Sequence, residues 1–430
     1  MERVIKIGLL GLGTVGKGVY RILTGNAEKI WRKTGAPLEI ARILVRSPSK
    51  ERGLEIDQKI LTDDYRDIVD CPEIDIVVEV MGGLCPTLDY VLQALKNGKS
   101  VVTANKDLLA EHGRELFEAA AVSGVDLLFE GSVGGGIPII RPLKHCLAAN
   151  RIIKIMGIIN GTTNYILSRM TAEGTSFEEA LAEARAKGYA EADPSADIEG
   201  LDAARKLAIL ASIAFSSRVS LNDIYIEGIS RITERDIAYA GELNYIIKLL
   251  AITKETEEGI EARVHPTFIP RLHPLAPVNG VFNAIFIQGD AVGKTMFYGQ
   301  GAGELPTGSA VVADLMEAAR NRLAQVSGLN GCTCFEEKFV LPIGRLQSKY
   351  YLRLMVADRP GVLASIAYAF GDKEVSLASV IQKHTDGRCA EIVMITHKVS
   401  EQNLQDALRI VEKLSAVDEV CIVVRVEDED

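Results

Sequence analysis

Residues 4–23, VIKIGLLGLGTVGKGVYRIL, carry the reading that decides the fold. Residues 4–10 are a short apolar run of the kind that forms a buried parallel strand, and from Val15 to Leu23 the apolar spacing becomes helical. Between them lie Gly11, Gly13 and Gly16. Glycines in that spacing allow a tight turn and let the backbone approach a pyrophosphate, which then rests against the positive end of the helix. Three glycines alone could be a plain structural turn; the strand before them and the helix after them favour a dinucleotide site.

Working outward, further apolar runs follow at 39–45, 75–80, 100–104 and 125–129, separated by helical stretches such as 87–96 and 111–123. Strands alternating with helices predict an α/β fold, a Rossmann-type doubly wound parallel sheet. From residue 136 the rhythm changes. Alanine-rich helices at 177–187 and 198–214 mix with strands at 152–159, 261–269 and 282–289, a second α+β domain. Ser176 with Glu179 spells a capping box, and Gly188 is a left-handed stop. Residues 335–348 read as a linker, with Pro and Gly in a polar stretch. Beyond it, strand 349–357, helix 361–370, strands 376–382 and 389–396, helix 401–414 and strand 417–426 spell βαββαβ, the ferredoxin-like order.

At 430 residues, with 47% hydrophobic and 25% charged residues, the chain has room for two or three ordinary globular domains. A net charge of −10 argues against a surface that collects nucleic-acid phosphates. The first ten residues hold neither a cleavable leader nor a spanning stretch, so no membrane partner is expected. Seven cysteines, at 71, 85, 146, 332, 334, 389 and 421, are odd in number and scattered, which suits reduced thiols in the cytoplasm.

Chemistry gathers at a few further places. The second strand ends in Arg46, Ser47 and Pro48, with Lys50 close by. A cation there suits a 2′-phosphate and so NADP, with NAD possible; the plain alternative is an exposed loop arginine. Lys106 follows the strand 100–104, at the carboxyl end where ligands bind in open α/β sheets. The stretch 130–138, EGSVGGGIP, is a second glycine-rich turn, open to a structural reading as a domain crossover. In 188–206, GYAEADPSADIEGLDAARK, the acids Glu191, Asp193, Asp197 and Asp202 lead to Lys206. Asp202 and Lys206 stand four apart on one helix face. Such a pair can be a surface ion pair contributing a few tenths of a kcal/mol. Here the rest of the helix is apolar, at Leu201, Ala204, Leu207 and Ala208, and three more acids lead into the polar face. A lysine held by carboxylates can protonate a developing alkoxide, and carboxylates can hold an ammonium substrate.

These residues resemble the homoserine dehydrogenase family. The resemblance rests on GLGTVGKGV at the nucleotide turn, TANK at 103–106, EGSVGGGIPII at 130–140, GIINGTTNYIL at 157–167, the 188–206 block and GAGELPTGSAV at 301–311. It implies reduction of aspartate 4-semialdehyde to homoserine with NAD(P)H, on the route to threonine, methionine and isoleucine, by a subunit that pairs through its second domain into a dimer or tetramer. It implies that Lys206 donates the proton, with Lys106 reaching substrate and cofactor, and that Glu191 and Asp202, grouped with Asp197, hold the substrate. It places Gly11, Gly13, Thr14, Val15, Gly16, Gly188 and Gly303 along the nucleotide, and a sodium ion on the backbone carbonyls of Glu130, Val133, Gly135 and Ile137. The tail, with DRPGVLA at 358–364, resembles the ACT family, which implies an amino-acid ligand, expectably threonine. The boundaries that follow are 1–135 with 302–330 for the nucleotide domain, 136–301 for catalysis and dimerisation, 331–348 for the linker and 349–430 for the ACT domain. A cut near Gly344 is then expected to leave an active dehydrogenase. Two rivals are disfavoured. One is a phosphorylating semialdehyde dehydrogenase, which needs an activated cysteine, and no cysteine here sits in a recognisable catalytic setting; the other is a non-catalytic amino-acid sensor, which has no need of both Asp202 and Lys206.

Overall fold

The computed structural model describes residues 3–327, 331–385 and 387–428. The chain divides into two compact units. The first comprises Met1–Ile153, Arg205–Leu221 and Phe282–Glu337; the second comprises Lys154–Ala204, Asn222–Val281 and Lys338–Asp430.

The first unit is built on a six-stranded parallel sheet of β1 (Ile5–Leu10), β2 (Leu38–Leu44), β3 (Leu61–Thr62), β4 (Ile76–Glu79), β5 (Ser100–Thr103) and β6 (Leu127–Leu128). Its order, β3-β2-β1-β4-β5-β6, reverses direction at β1, so the crevice beyond the carboxyl ends of β1 and β4 is where this sheet type binds ligands. Strands β4 and β5 are buried at every position, which is why they read as unbroken apolar runs and not as alternating ones. The helix Thr14–Gly25 follows β1, and its buried Val19 and Leu23 join Ile7, Leu9 and Val78 in one core. The helix Glu304–Leu323 packs into that same core through Val311, Leu315 and Ala319, although it lies nearly 300 residues from β1 in the chain. Gly18 permits the crossing: a Cβ there would lie 1.9 Å from the Glu304 carbonyl oxygen. An antiparallel hairpin, Phe282–Gly289 with Gly293–Gln300, completes the unit.

The second unit carries a mixed sheet whose strands run Ile152–Ile158, Tyr245–Thr256, Gly259–Pro270, Val417–Val426, Gln347–Ala357, Cys389–Thr396 and Leu377–Thr385. The last four are the tail, in the spatial order 4-1-3-2 of a ferredoxin-like fold, and they share a core that includes Tyr350, Leu354, Ile366, Phe370, Met394 and Leu408. The tail is not, however, set apart from what precedes it. Thr267 and Phe268 pair in parallel with Arg425 and Val426, so the tail's last strand extends the sheet begun by Gly259–Pro270. The polar stretch expected to be a linker is also held by main-chain bonds: Ile260 N donates to Phe339 O and Leu341 N to Ile260 O, each at 2.8 Å.

The capping box forms as expected, with Ser176 and Glu179 closing the first turn of Phe177–Ala186 and Gly188 at φ +73° beyond it. The helix expected over 198–214 is divided. Gly200, at φ +83°, separates a short turn of helix at Ser195–Ile198 from the helix Leu201–Ala214, and Leu201 faces solvent instead of the apolar side. The strand Tyr245–Thr256 escapes a sequence reading because a short apolar run suits a buried helix as well as a strand. Full-length antiparallel pairing with Gly259–Pro270 settles it.

Candidate active site

At the nucleotide turn, Gly11 adopts φ +104°, and a Cβ on Gly16 would lie 2.3 Å from the Gly11 carbonyl oxygen, so neither position accepts a side chain. Gly13, by contrast, has nothing within 4 Å of where its Cβ would be, which leaves room for a ligand to meet the backbone. Gly13 is also the N-cap of Thr14–Gly25, and no side chain caps that helix. Its first N–H groups, with Thr14 and Val15 in the first turn, therefore point at the crevice as an anion site. Gly303 begins the helix Glu304–Leu323, which crosses the nucleotide helix at Gly18. Arg46 is exposed just past the end of β2, at the sheet's carboxyl edge. The neighbouring Arg52 shapes that loop by donating to the carbonyls of Ser47, Pro48 and Lys50, a structural duty that a list of loop cations does not reveal.

The tips of β4 and β5 are tied by a buried carboxyl. Glu79 accepts from the N–H groups of Met81 and Gly82 at 2.8 and 3.0 Å and from the Thr103 hydroxyl at 2.6 Å. Burial pushes the Glu79 carboxyl above its ordinary range. Thr103 Oγ1 in turn accepts from Asn105 N at 3.0 Å, and the Asn105 side chain caps the helix Lys106–Ser123. Lys106 is thus the first residue of a helix whose start is fixed by three linked polar groups. The next residue, Asp107, pairs with Arg205 at 3.2 Å, which joins that helix to Leu201–Ala214 at the position before Lys206. Both lysines are half-buried.

In the second unit the acids separate by role. Asn160 Nδ2 donates to Asp197 Oδ1 at 2.7 Å and to Asp202 Oδ2 at 2.9 Å, and the Thr162 hydroxyl donates to Asp197 Oδ2 at 2.9 Å. Asp202 is buried, so its carboxylate is held in place by an amide and is not a solvated surface group. Asp193 caps its own turn through Ser195 N, and Glu191 is exposed outside this network, as is Gly188. Sequence spacing does not single out Asn160 and Thr162 as site residues. The available signal was weak: Asn160 reads as an ordinary N-cap of Gly161–Glu173, which it also is.

The 130–137 turn belongs to the first unit. The Glu130 carboxylate is consumed by main-chain donors, Ile139 N at 2.5 Å and Ile140 N and Arg141 N at 2.8 Å, so only its backbone is left to serve a ligand. Gly134 and Gly135 lie at positive φ, and Ile137 N closes the turn on Gly134 O at 2.8 Å. Among the described residues no hydrogen bond ends on the carbonyls of Val133, Gly135 or Ile137, and all three residues are buried. Buried carbonyls without a donor fit a cation held by main-chain oxygen. Among the described residues there is also no cluster of acidic, His and Cys side chains able to hold a metal.

The hydrogen bond from Cys334 pushes the Cys332 thiol down to about 5, while the same bond and burial push Cys334 up. Cys332 lines a cleft with Phe117, Phe129, Lys144 and Arg218, none of which belongs to the nucleotide turn. All seven cysteines are free, and no helix among the described residues is long and apolar enough to cross a membrane.

Three family models match consecutive parts of the chain: the homoserine dehydrogenase NAD-binding domain over residues 11–130, homoserine dehydrogenase over 138–316 and the ACT domain over 350–416. A homoserine dehydrogenase of Synechocystis is 48% identical, over 98% of this chain and 99% of its own; one of Bacillus subtilis is 43% identical over 99% of each. The crystal structure of a homoserine dehydrogenase from Thiobacillus denitrificans superposes with a TM-score of 0.95 at 46% identity, covering all of both chains. A hyperthermophilic archaeal homoserine dehydrogenase in complex with NADPH matches 74% of this chain and 98% of its own, with a TM-score of 0.64 at 27% identity. With a nicotinamide-nucleotide fold, a buried acid set one helical turn before a lysine, and an ACT tail, the chain belongs to the homoserine dehydrogenase family.

Proposed function

We propose that this protein interconverts aspartate 4-semialdehyde and homoserine with NADP as its preferred nicotinamide cofactor. The observation that carries the reading is Asp202: buried, fixed by Asn160, and four residues before Lys206 on the helix Leu201–Ala214. When bound, the dihydronicotinamide supplies a hydride to the aldehyde carbon. Lys206 delivers a proton to the oxygen as negative charge grows there, and reclaims it in the oxidative direction. Lys106 offers a second positive charge to the polarised oxygen, while Glu191, Asp202 and the Asp197 beside it hold the substrate's ammonium group. The uncapped helix at Gly13, Thr14 and Val15 takes the pyrophosphate, with Gly11, Gly16, Gly188 and Gly303 along the nucleotide, and Arg46 pairs with the 2′-phosphate.

A sodium ion on the carbonyls of Glu130, Val133, Gly135 and Ile137 would brace the turn between the sheet and the hairpin. The same reading assigns residues 1–135 with 302–330 to the cofactor, 136–301 to substrate and subunit pairing in a dimer or tetramer, and 349–430 to threonine sensing, in the cytoplasm.

Absorbance of NADPH followed with aspartate 4-semialdehyde tests the core of this. Lys206→Ala should lower kcat by about 10²–10⁴-fold with cofactor affinity unchanged. A loss below about tenfold would place the acid elsewhere. Arg46→Ala should raise the KM for NADPH much more than that for NADH, since only NADPH carries the extra phosphate.

A further inference from the structure

Asn283 lies on the strand Phe282–Gly289, wholly shielded from solvent, and neither Oδ1 nor Nδ2 has a hydrogen-bond partner. A buried amide left without partners costs about 1–3 kcal/mol per group, so it calls for a ligand or a reason. Its surroundings point to one. Asn283 is paired across the hairpin with Gly299, and directly opposed residues share a face of the sheet. On that face a Cβ on Gly299 would lie 3.2 Å from Ile137 Cγ1. Ile285, two residues further on the same face, lies 3.7 Å from where a Gly134 Cβ would be. A Cβ on Gly301 would meet Asn283 Nδ2 at 2.0 Å, and one on Gly135 would meet Gly301 O at 2.4 Å. The 134–137 turn packs on the Gly301 backbone, which packs on the unpartnered Asn283 amide.

We propose that Asn283 supplies the side-chain oxygen of the cation site formed by the 130–137 turn, with Nδ2 donating to water carried in with the ion. The inference rests on the proposed cation reading and adds to it a residue that lies about 150 positions away from the turn. It also explains why a polar side chain occupies a core position of the hairpin flanked by the buried Ala284 and Ile285. A hard cation takes oxygen ligands, and an amide oxygen in a dry setting serves it without adding net charge.

The test is thermal unfolding of the full chain in sodium chloride against choline chloride at equal ionic strength, on the order of 0.1 M so that general screening is matched. An ion that binds only the folded state raises Tm with its concentration. For the unsubstituted protein Tm should rise with sodium. Asn283→Leu, with the same branching of heavy atoms but no polar ones, should raise the half-saturating sodium concentration about tenfold or more. Asn283→Asp, which keeps an oxygen, should retain the response. Sodium-23 line broadening should follow the same order. If the parent responds to sodium and Asn283→Leu responds equally, Asn283 is no ligand while the cation reading stands. If the parent shows no sodium-specific rise, the cation reading itself fails and takes this inference with it. If Asn283→Leu is stabilised alike in both salts, the amide is a packing defect. Should that variant not fold, Asn283→Ala carries the same comparison.

Discussion

Two buried regions of this protein are filled with opposite chemistry. The nucleotide sheet is closed by aliphatic side chains, with Ile5, Ile7, Leu9, Ile76 and Val78 wholly out of solvent. The seam where Gly259–Pro270 meets the tail is closed by ions. Arg263 pairs with Glu261 and Glu427, and Glu427 also meets Lys154 and Lys254 at 3.1 Å. Arg425 grips Glu401 through two bonds of 2.9 Å and reaches Glu227 at 2.8 Å, while Arg353 joins Asp236 at 2.8 Å to Glu391 at 3.1 Å. The difference is one of tolerance. Dispersion and the hydrophobic effect are non-directional, so an aliphatic core absorbs the loss of a methyl group. A buried ion set is stable only when complete, because removing one member leaves its partner charged in a dry place.

The largest expected effect comes from removing the tail. Cutting at Gly344 takes away Glu427, Arg425 and Arg353 together, leaves Arg263 and Asp236 without those partners, and bares the edge of the Gly259–Pro270 strand. The tail's own ferredoxin-like order suggests a detachable module; the ion pairs of the seam argue against one. The truncated chain should be insoluble or molten, read by the loss of a cooperative melt. A soluble and fully active truncation would show that the ions serve only the tail's docking.

Next in size is a single charge. Glu427→Gln should cost about 3–5 kcal/mol near neutral pH, since Arg263, Lys254 and Lys154 then lose their common counter-charge. The effect has a pH signature. Burial pushes the Glu427 carboxyl up, but Arg263, Lys254 and Lys154 outweigh it and hold it well below its ordinary value of 4.5. A depressed carboxyl contributes stability that is present above the unfolded value and is lost as pH falls toward the folded one. The gap between the parent and Glu427→Gln should therefore be constant from pH 7 to about 5 and begin to close only below pH 4.5. Urea denaturation across that range measures it, and a gap that closes near pH 6 would assign the effect to a histidine instead.

The smallest effect is reserved for the aliphatic side of the comparison. Ile7→Val, at a site equally buried, should cost only about 0.5–1.5 kcal/mol and show no dependence on pH. A cost as large as that of Glu427→Gln would mean that the two regions differ in composition but not in tolerance.

Much of this molecule is written locally. Strand, glycine turn and helix follow one another within 20 residues at the nucleotide site, so spacing alone places Gly11, Gly13, Gly16 and Lys106 at the carboxyl edge of the sheet. The Ser176 capping box and the tail's βαββαβ order are legible for the same reason, each depending on neighbours a few residues apart. What the sequence could not determine is which distant polar groups would meet. Asn160 reaches Asp197 and Asp202 across 37 and 42 residues, and Arg263 reaches Glu427 across 164. Nothing in the local pattern distinguishes these side chains from solvated ones, because their environment is created only when the chain closes those loops. Tertiary packing alone removed the water, and with it the choice between a surface ion pair at Asp202 and a fixed carboxylate, and between a free-standing tail and one locked in by charge.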